Sequence, residues 1–393
     1  MCPSASHTET DDNEVILYIN ASKQVCSFCE EAKKFAIVAV DTEFLREKTY
    51  HPTLCLLQLG TPEATCAIDP LAEGIDLTPV KELLEDPTVT KVIHSCSQDL
   101  EVIRYALDCD VAPVFDTQVA AAFLGFRMQL GYAGLVESYT SVRLAKAESM
   151  TDWSRRPLDK EQLLYAEDDV KYLPEIYEQQ MRQLVQKNRL GWLQPEMDYM
   201  VNPHRLQVRP EEAYKKLKRA ASLTKKQLAV AKEVCQWREG QAMKRNVPRK
   251  WILSDEVIVE LCKRTPETDE RLVRIRTLES LNQQDRTQLL QAIERGIHTD
   301  PADYPEIKRK VKLSCENESI VDLMYSLLRR VSDSCGIATQ MIATRDDLAE
   351  FLVDRDAPRL REGWRYEELG KKLEKLLSGE VALTVCKGKI EII

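Results

Sequence analysis

Along the first half of the chain, short apolar runs alternate with stretches whose apolar residues recur every three or four positions. Ala36-Ile-Val-Ala-Val40 is an unbroken apolar run rich in Val and Ile, the pattern of a strand buried on both faces. Leu54–Leu59 and Thr65–Asp69 predict two more strands, with Gly60-Thr-Pro-Glu63 as the turn between them and Pro70 stopping the second. Three strands joined by short turns predict an antiparallel meander. Glu14–Asn20, Lys91–His94 and Val114–Asp116 read as further strands. Helices are predicted over Ser22–Lys34, Pro79–Glu85, Gln98–Leu107 with Ser97 as N-cap, Thr117–Gly125 and Leu130–Tyr139. A long helix capped by Asp159 carries Gln162–Leu173. Antiparallel strands followed by strand–helix alternation predict an α/β architecture, a mixed sheet flanked by helices.

The second half changes period. Leu190–Pro210 has prolines and little apolar periodicity and reads as a connector. Thr224–Met243 then spaces Leu228, Ala231, Val234, Cys235 and Ala242 as one helix face, with shorter helices at about 254–263, 269–274, 277–281 and 282–295. Ser314–Ser334, Thr344–Asp354 and the stretch from Gly363 predict a second helical group, and the chain ends in a hairpin turned at Lys387-Gly388. The expected divisions are a flexible 1–13, an α/β domain 14–195, a connector 196–221, helical domains 222–298 and 314–380 about a linker 299–313, and a hairpin 381–393.

Composition narrows the class. A chain of 393 residues is long enough for two or three domains. No run has the apolar length of a membrane span, and polar, acidic Met1–Asn13 lacks a signal-peptide pattern. A cytoplasmic protein that engages no membrane is expected. The 12 cysteines lie mostly in apolar contexts and read as reduced core residues, Cys26 and Cys29 included. The net charge of −9 hides a split: His204–Arg264 holds 16 Lys and Arg against 7 Asp and Glu, a local +9 that leaves −18 elsewhere. A basic segment in an acidic chain suits either phosphate contacts or a solvated helix face.

The acids give the chemistry. Asp41 and Glu43 follow the first buried strand two residues apart, so their side chains share a face. Crowded carboxylates repel and lose hydration, and hard divalent cations such as Mg²⁺ or Mn²⁺ relieve both. Asp99 falls in a helix's first turn, where an acid taken alone is only a good dipole partner. Tyr165 and Asp169 are four apart on a late helix and share a face; alone they read as a core Tyr beside a solvated acid. Together, four acids from three elements suit a site in which two cations roughly 3.5–4 Å apart clamp a phosphodiester under attack. Tyr165 would then orient the nucleophilic water.

Asp41-Thr-Glu-Phe44, His94-Ser-Cys-Ser-Gln-Asp-Leu-Glu101 and Tyr165-Ala-Glu-Asp-Asp169 resemble the three motifs of the DEDD exonucleases, tyrosine subtype. Within that superfamily the chain is most similar to the ribonuclease D family. Thr49-Tyr50, Leu57-Gln58-Leu59, Ile68-Asp69-Pro70, Asp116-Thr117-Gln118 and Thr151-Asp152-Trp153 with Arg156-Pro157 add to the likeness. The resemblance implies a ribonuclease H-like exonuclease domain followed by two all-α HRDC-like domains, the first on Trp237-Arg-Glu and Asn246-Val-Pro. It implies 3′→5′ hydrolysis of RNA to 5′-mononucleotides, on tRNA precursors with 3′ extensions; a monomer is expected. By position, Asp41, Glu43, Asp99 and Asp169 would hold two divalent cations (Mg²⁺ or Mn²⁺), with Tyr165 placing the water. Phe44, Leu45, His94, Trp153 and Arg156 are the expected substrate contacts, although His94 also suits a structural hydrogen bond. A DNA exonuclease of the same superfamily and a non-catalytic nucleic-acid scaffold are the alternatives.

Overall fold

The computed structural model describes residues 16–144, 151–307, 311–353 and 358–393. Expectations for 1–13, for Glu14 and for parts of 146–157, the 299–313 linker and the end of 344–354 lie outside them. The chain divides into two compact units. The first holds Met1–Leu45, Leu54–Ala120 and Gln129–Lys187; the second holds Arg46–Thr53, Ala121–Met128 and Asn188–Ile393.

Unit one is built on a six-stranded sheet of β1 (Leu17–Ile19), β2 (Ile37–Leu45), β3 (Thr53–Gly60), β4 (Thr65–Ile68), β5 (Thr90–Ile93) and β6 (Val114–Asp116). The spatial order is β1-β4-β3-β2-β5-β6. β3 and β4 pair antiparallel with Gln58 opposite Ala67, while β1–β4, β2–β5 and β5–β6 pair parallel. The sheet is therefore mixed. Its centre is β2, whose Ile37–Val40 run is buried on both faces as its continuous apolar pattern requires.

The helices are α1 (Ser22–Ala32), α2 (Thr78–Glu85), α3 (Ser97–Leu107), α4 (Thr117–Phe123), α5 (Tyr132–Thr140), α6 (Lys160–Lys171) and α7 (Leu173–Gln186). Asp159 caps α6 in a capping box with Gln162, as its sequence position predicts. Three local expectations are corrected. The long helix through Leu173 is two helices broken at Tyr172, because Pro174 lacks an N–H and its ring crowds the carbonyl four residues back. Ser97 is the first residue of α3, not its cap; the carboxylate of Asp116 accepts from the Cys96 N–H at 2.9 Å at that start instead. Cys29 is buried as expected, but Cys26 is exposed with its thiol 3.5 Å from Glu30.

Unit two is helical apart from a terminal hairpin, Leu383–Cys386 with Lys389–Ile392. The expected connector is structured: Leu190–Met200 is a helix that buries Leu193 and Met197, one turn apart. Lys225–Arg245 is the longest helix of the next group, and its Leu228, Val230, Ala231, Val234 and Cys235 centre a core that includes Leu261, Leu278, Leu289 and Ile293. Cys315–Cys335 leads the last helical group, burying Val321, Met324, Leu327 and Leu328. Among the described residues, no helix is long and apolar enough to cross a membrane.

Candidate active site

The apolar run of β2 ends in Asp41, Thr42 and Glu43. Asp41 and Glu43 are partly exposed, whereas Thr42, on the opposite face, is buried. α6 packs on β2 and supplies Asp169. Gly60 on β3 sets how closely it comes: a Cβ there would lie 3.0 Å from the carbonyl oxygen of Val170 and 3.2 Å from its Cβ. Val170 follows Asp169 directly, so this close approach fixes the height of the Asp169 carboxylate. α3 brings Asp99, which is buried and accepts a 2.6 Å hydrogen bond from the Thr42 hydroxyl.

Carboxylate oxygens of Asp41, Glu43 and Asp169 all lie within 4.8 Å of one another, near enough to hold a metal ion. Asp99 stands outside that trio, yet close enough for its charge to act on Asp41 and Glu43. The electrostatics are those of a cation site. Burial, then the charges of Asp99, Asp169 and Glu43, push Asp41 well above the carboxylate range. Burial followed by the charges of Asp169 and Asp99 raises Glu43 to about 8. Burial also raises Asp169 to about 7, against the pull of a hydrogen bond from Tyr165. Asp99 rises to about 6, again through burial and against its bond to Thr42. The Tyr165 hydroxyl is pushed up by burial and by the carboxylates around it, so it stays protonated and can donate.

The expected substrate contacts divide. Phe44 and Leu45 are partly exposed beside Glu43, and Leu45 packs in a cluster with Trp153 and Tyr165. Trp153 is buried, its ring 6.0 Å from that of Tyr165, so it supports Tyr165 and offers little surface to a ligand. Arg156 is occupied elsewhere: its guanidinium donates to Asp69 at 2.5 and 2.6 Å, to the Cys55 carbonyl at 2.7 Å and to the Trp153 carbonyl at 2.8 Å. It fastens the 151–157 turn to the sheet. His94 has both ring nitrogens engaged, with the Thr117 hydroxyl and the Leu130 carbonyl at 3.0 Å each, which is the structural use and not a ligand contact. Burial lowers its pKa and favours the neutral ring.

Sequence reasoning gave no role to three residues that hold the site together. Thr42 was passed over although strand alternation turns it away from its acidic neighbours; its partner lies 57 residues on. Asp116 is fully buried and accepts from the N–H groups of Ser95, Cys96, Gln118 and Val119, tying the entry of α3 to that of α4. Ser95 there is held at φ 62°. Tyr132 donates to the Asp168 carbonyl at 2.7 Å, beside Asp169. No spacing rule pointed to any of these contacts.

Comparison with known proteins agrees with this geometry. Residues 16–185 match the 3'-5' exonuclease family and residues 227–293 the HRDC domain. The chain is 37% identical over 376 residues to ribonuclease D of Nitrobacter hamburgensis, covering 95% of this chain and 98% of that one. With ribonuclease D of Acidiphilium cryptum it shares 36% identity over 397 residues, 100% of this chain and 99% of the relative. Its fold is similar to the crystal structure of Escherichia coli RNase D, described as an exoribonuclease involved in structured RNA processing. That match has a TM-score of 0.79 at 30% identity, covering 93% of this chain and 99% of the other. With identity at this level along nearly its whole length, the chain belongs to the ribonuclease D family.

Proposed function

We propose that this 3′→5′ exoribonuclease hydrolyses tRNA precursors with 3′ extensions, releasing 5′-mononucleotides, with two divalent cations held by Asp41, Glu43, Asp99 and Asp169. The observation that carries the reading is the trio of carboxylates within 4.8 Å. Each of the four acids is held above its ordinary pKa, chiefly by burial, and the anions crowded there add to the rise at Asp41 and Glu43. An all-oxygen, anionic donor set fits Mg²⁺ or Mn²⁺. Bound there, the cations would supply charge neutralisation for the phosphate and the departing 3′-oxygen and would acidify the attacking water.

The chain's own residues do the rest. Tyr165, protonated and donating its hydroxyl hydrogen to Asp169, accepts a hydrogen bond from the incoming water on its phenolic oxygen and orients it toward phosphorus. The new bond joins water oxygen to phosphorus, the bond from phosphorus to the 3′-oxygen breaks, and the proton leaves on the departing oxygen. Thr42 and Asp116 keep Asp99 and the start of α3 in place during this displacement. Phe44 and Leu45, partly exposed beside Glu43, flank the terminal nucleotide. We place the enzyme in the cytoplasm as a monomer; the described cysteines, all free, suit a reducing compartment.

The test is incubation of the purified chain with Mn²⁺ and a 3′-extended tRNA beside a DNA of matched sequence. Stepwise shortening of the RNA from its 3′ end, with mononucleotide products, is the expected result. Preferential digestion of the DNA, or no hydrolysis of either, overturns the reading.

A further inference from the structure

We propose that Trp251, in the same exposed basic stretch as Lys244 and Lys250, is a stacking platform for a base of single-stranded RNA, with the two lysines contributing to phosphate contacts. The inference rests on the RNA-exonuclease reading above. Its starting point is an indole where none is expected: Trp251 is 57% exposed. The next two residues, Ile252 and Leu253, are buried in the core of unit two, so the turn Arg249–Ile252 is anchored and only its outer side chains face water.

The turn is pinned from several directions. Buried Arg238 donates to the Leu253 carbonyl at 3.2 Å and to Asp255 at 2.7 Å. Arg249 lies 3.8 Å from Glu239, a buried acid that also accepts from the Tyr50 hydroxyl at 2.5 Å. Asn246, left-handed at the end of helix Lys225–Arg245, accepts from the Tyr50 and His51 N–H groups at 3.1 Å each. The indole is thus exposed on a rigid support and loses little freedom on taking a ligand. Among the described residues, no cation or ring sits on its face. Exposed Tyr199 differs, because Arg205 covers its ring at 4.3 Å.

Charge selects the occupant. Lys244, Arg245, Arg249 and Lys250 are all exposed, and 244–254 contains no acid. Arg245 and Arg249 have acidic partners, Asp285 and Glu239. Lys244 and Lys250 have none among the described residues. An exposed indole in an acid-free stretch that also exposes two unpaired ammonium groups suits the base and phosphates of a single strand. An apolar protein partner would leave both ammonium groups desolvated and unpaired.

The experiment measures affinity of the full-length chain for a fluorescent oligouridylate of about 12 nucleotides, by anisotropy in EDTA, so that no hydrolysis intervenes. Trp251→Ala is expected to weaken binding about 5- to 150-fold and Trp251→Phe only a few-fold, since a phenyl ring still stacks. Replacing Lys244 and Lys250 together by Gln should make the dependence of log affinity on log salt shallower by about 1.4. Trp251→Ala binding as wild type, with its circular dichroism intact, overturns the proposal. So does a Trp251→Ala chain whose sedimentation changes while its RNA affinity does not, because the indole then covers a second copy. Adding Mn²⁺ separates the two readings: RNA bound through Trp251 but never shortened sinks the exonuclease alone, whereas RNA shortened normally with affinity blind to Trp251 sinks this platform alone.

Discussion

Loading the acidic cluster with cations should expel protons, and the number follows from the site. At pH 7, pKa values of about 8, 7 and 6 leave about 0.9 proton on Glu43, 0.5 on Asp169 and 0.1 on Asp99. Those three carry about 1.5 protons, and Asp41, raised well above its ordinary range, adds as many as one more. Metal ligands must be ionised, so saturation with Mn²⁺ at pH 7 should release roughly 1.5 to 2.5 protons. Isothermal titration in two buffers of different ionisation enthalpy measures that number directly. Apparent affinity should rise with pH between about 6 and 8, the range over which Asp99, Asp169 and Glu43 lose their protons. The same shifts have a sign for stability. A carboxyl raised in the fold is cheapest when protonated, so the EDTA-treated chain should lose stability as pH climbs from about 4 toward 8, and Mn²⁺ should restore most at the upper end. Release below about 0.3 proton at pH 7, with affinity flat in pH, would refute the account of the cluster as a repelling, half-protonated cation site.

Three further outcomes are expected. Asp41→Asn or Asp169→Asn should abolish hydrolysis while RNA affinity in EDTA stays near wild type, and Tyr165→Phe should slow single-turnover cleavage by roughly 10- to 100-fold, less than either acid; wild-type rates in any of the three would contradict the assigned roles. Gly60→Ala puts a Cβ 3.0 to 3.3 Å from Val170 and Ala39, which should shift α6 by a few tenths of an ångström and cost roughly tenfold in rate with the fold retained; an unaltered rate would show that α6 tolerates the shift. Arg156→Ala should cost about 3 kcal/mol of stability by leaving the Asp69 carboxylate buried without its guanidinium. Burial opposes ionisation of Asp69, but Arg156 and Tyr18 hold it below its ordinary value. That stabilisation is present above about pH 4 and lost as pH falls through the depressed value, so the gap in Tm between Arg156→Ala and wild type should close in acid and nowhere else.

Much of the molecule was legible from spacing alone. The run Ile37–Val40 announces a buried central strand because only continuous apolar sequence survives burial on both faces. Asp41 and Glu43 then share a face through the two-residue repeat, and Tyr165 and Asp169 through the helical one. Asp159 caps α6 because its own side chain satisfies a nearby N–H. Each of these is a relation between residues a few positions apart, set by backbone geometry.

What the sequence could not determine lies between elements. Nothing local tells that Gly60 admits Val170, that Thr42 bonds Asp99, or that Asp116 anchors the start of α3. Arg156 and His94 show the same limit, since residue type suits both to a ligand, and only packing commits them to Asp69, Thr117 and Leu130. Side-chain chemistry and period travel with the chain; a hydrogen bond spanning 57 residues, or a carboxylate raised by burial and by the charges around it, exists only once separate elements have been brought within a few ångströms.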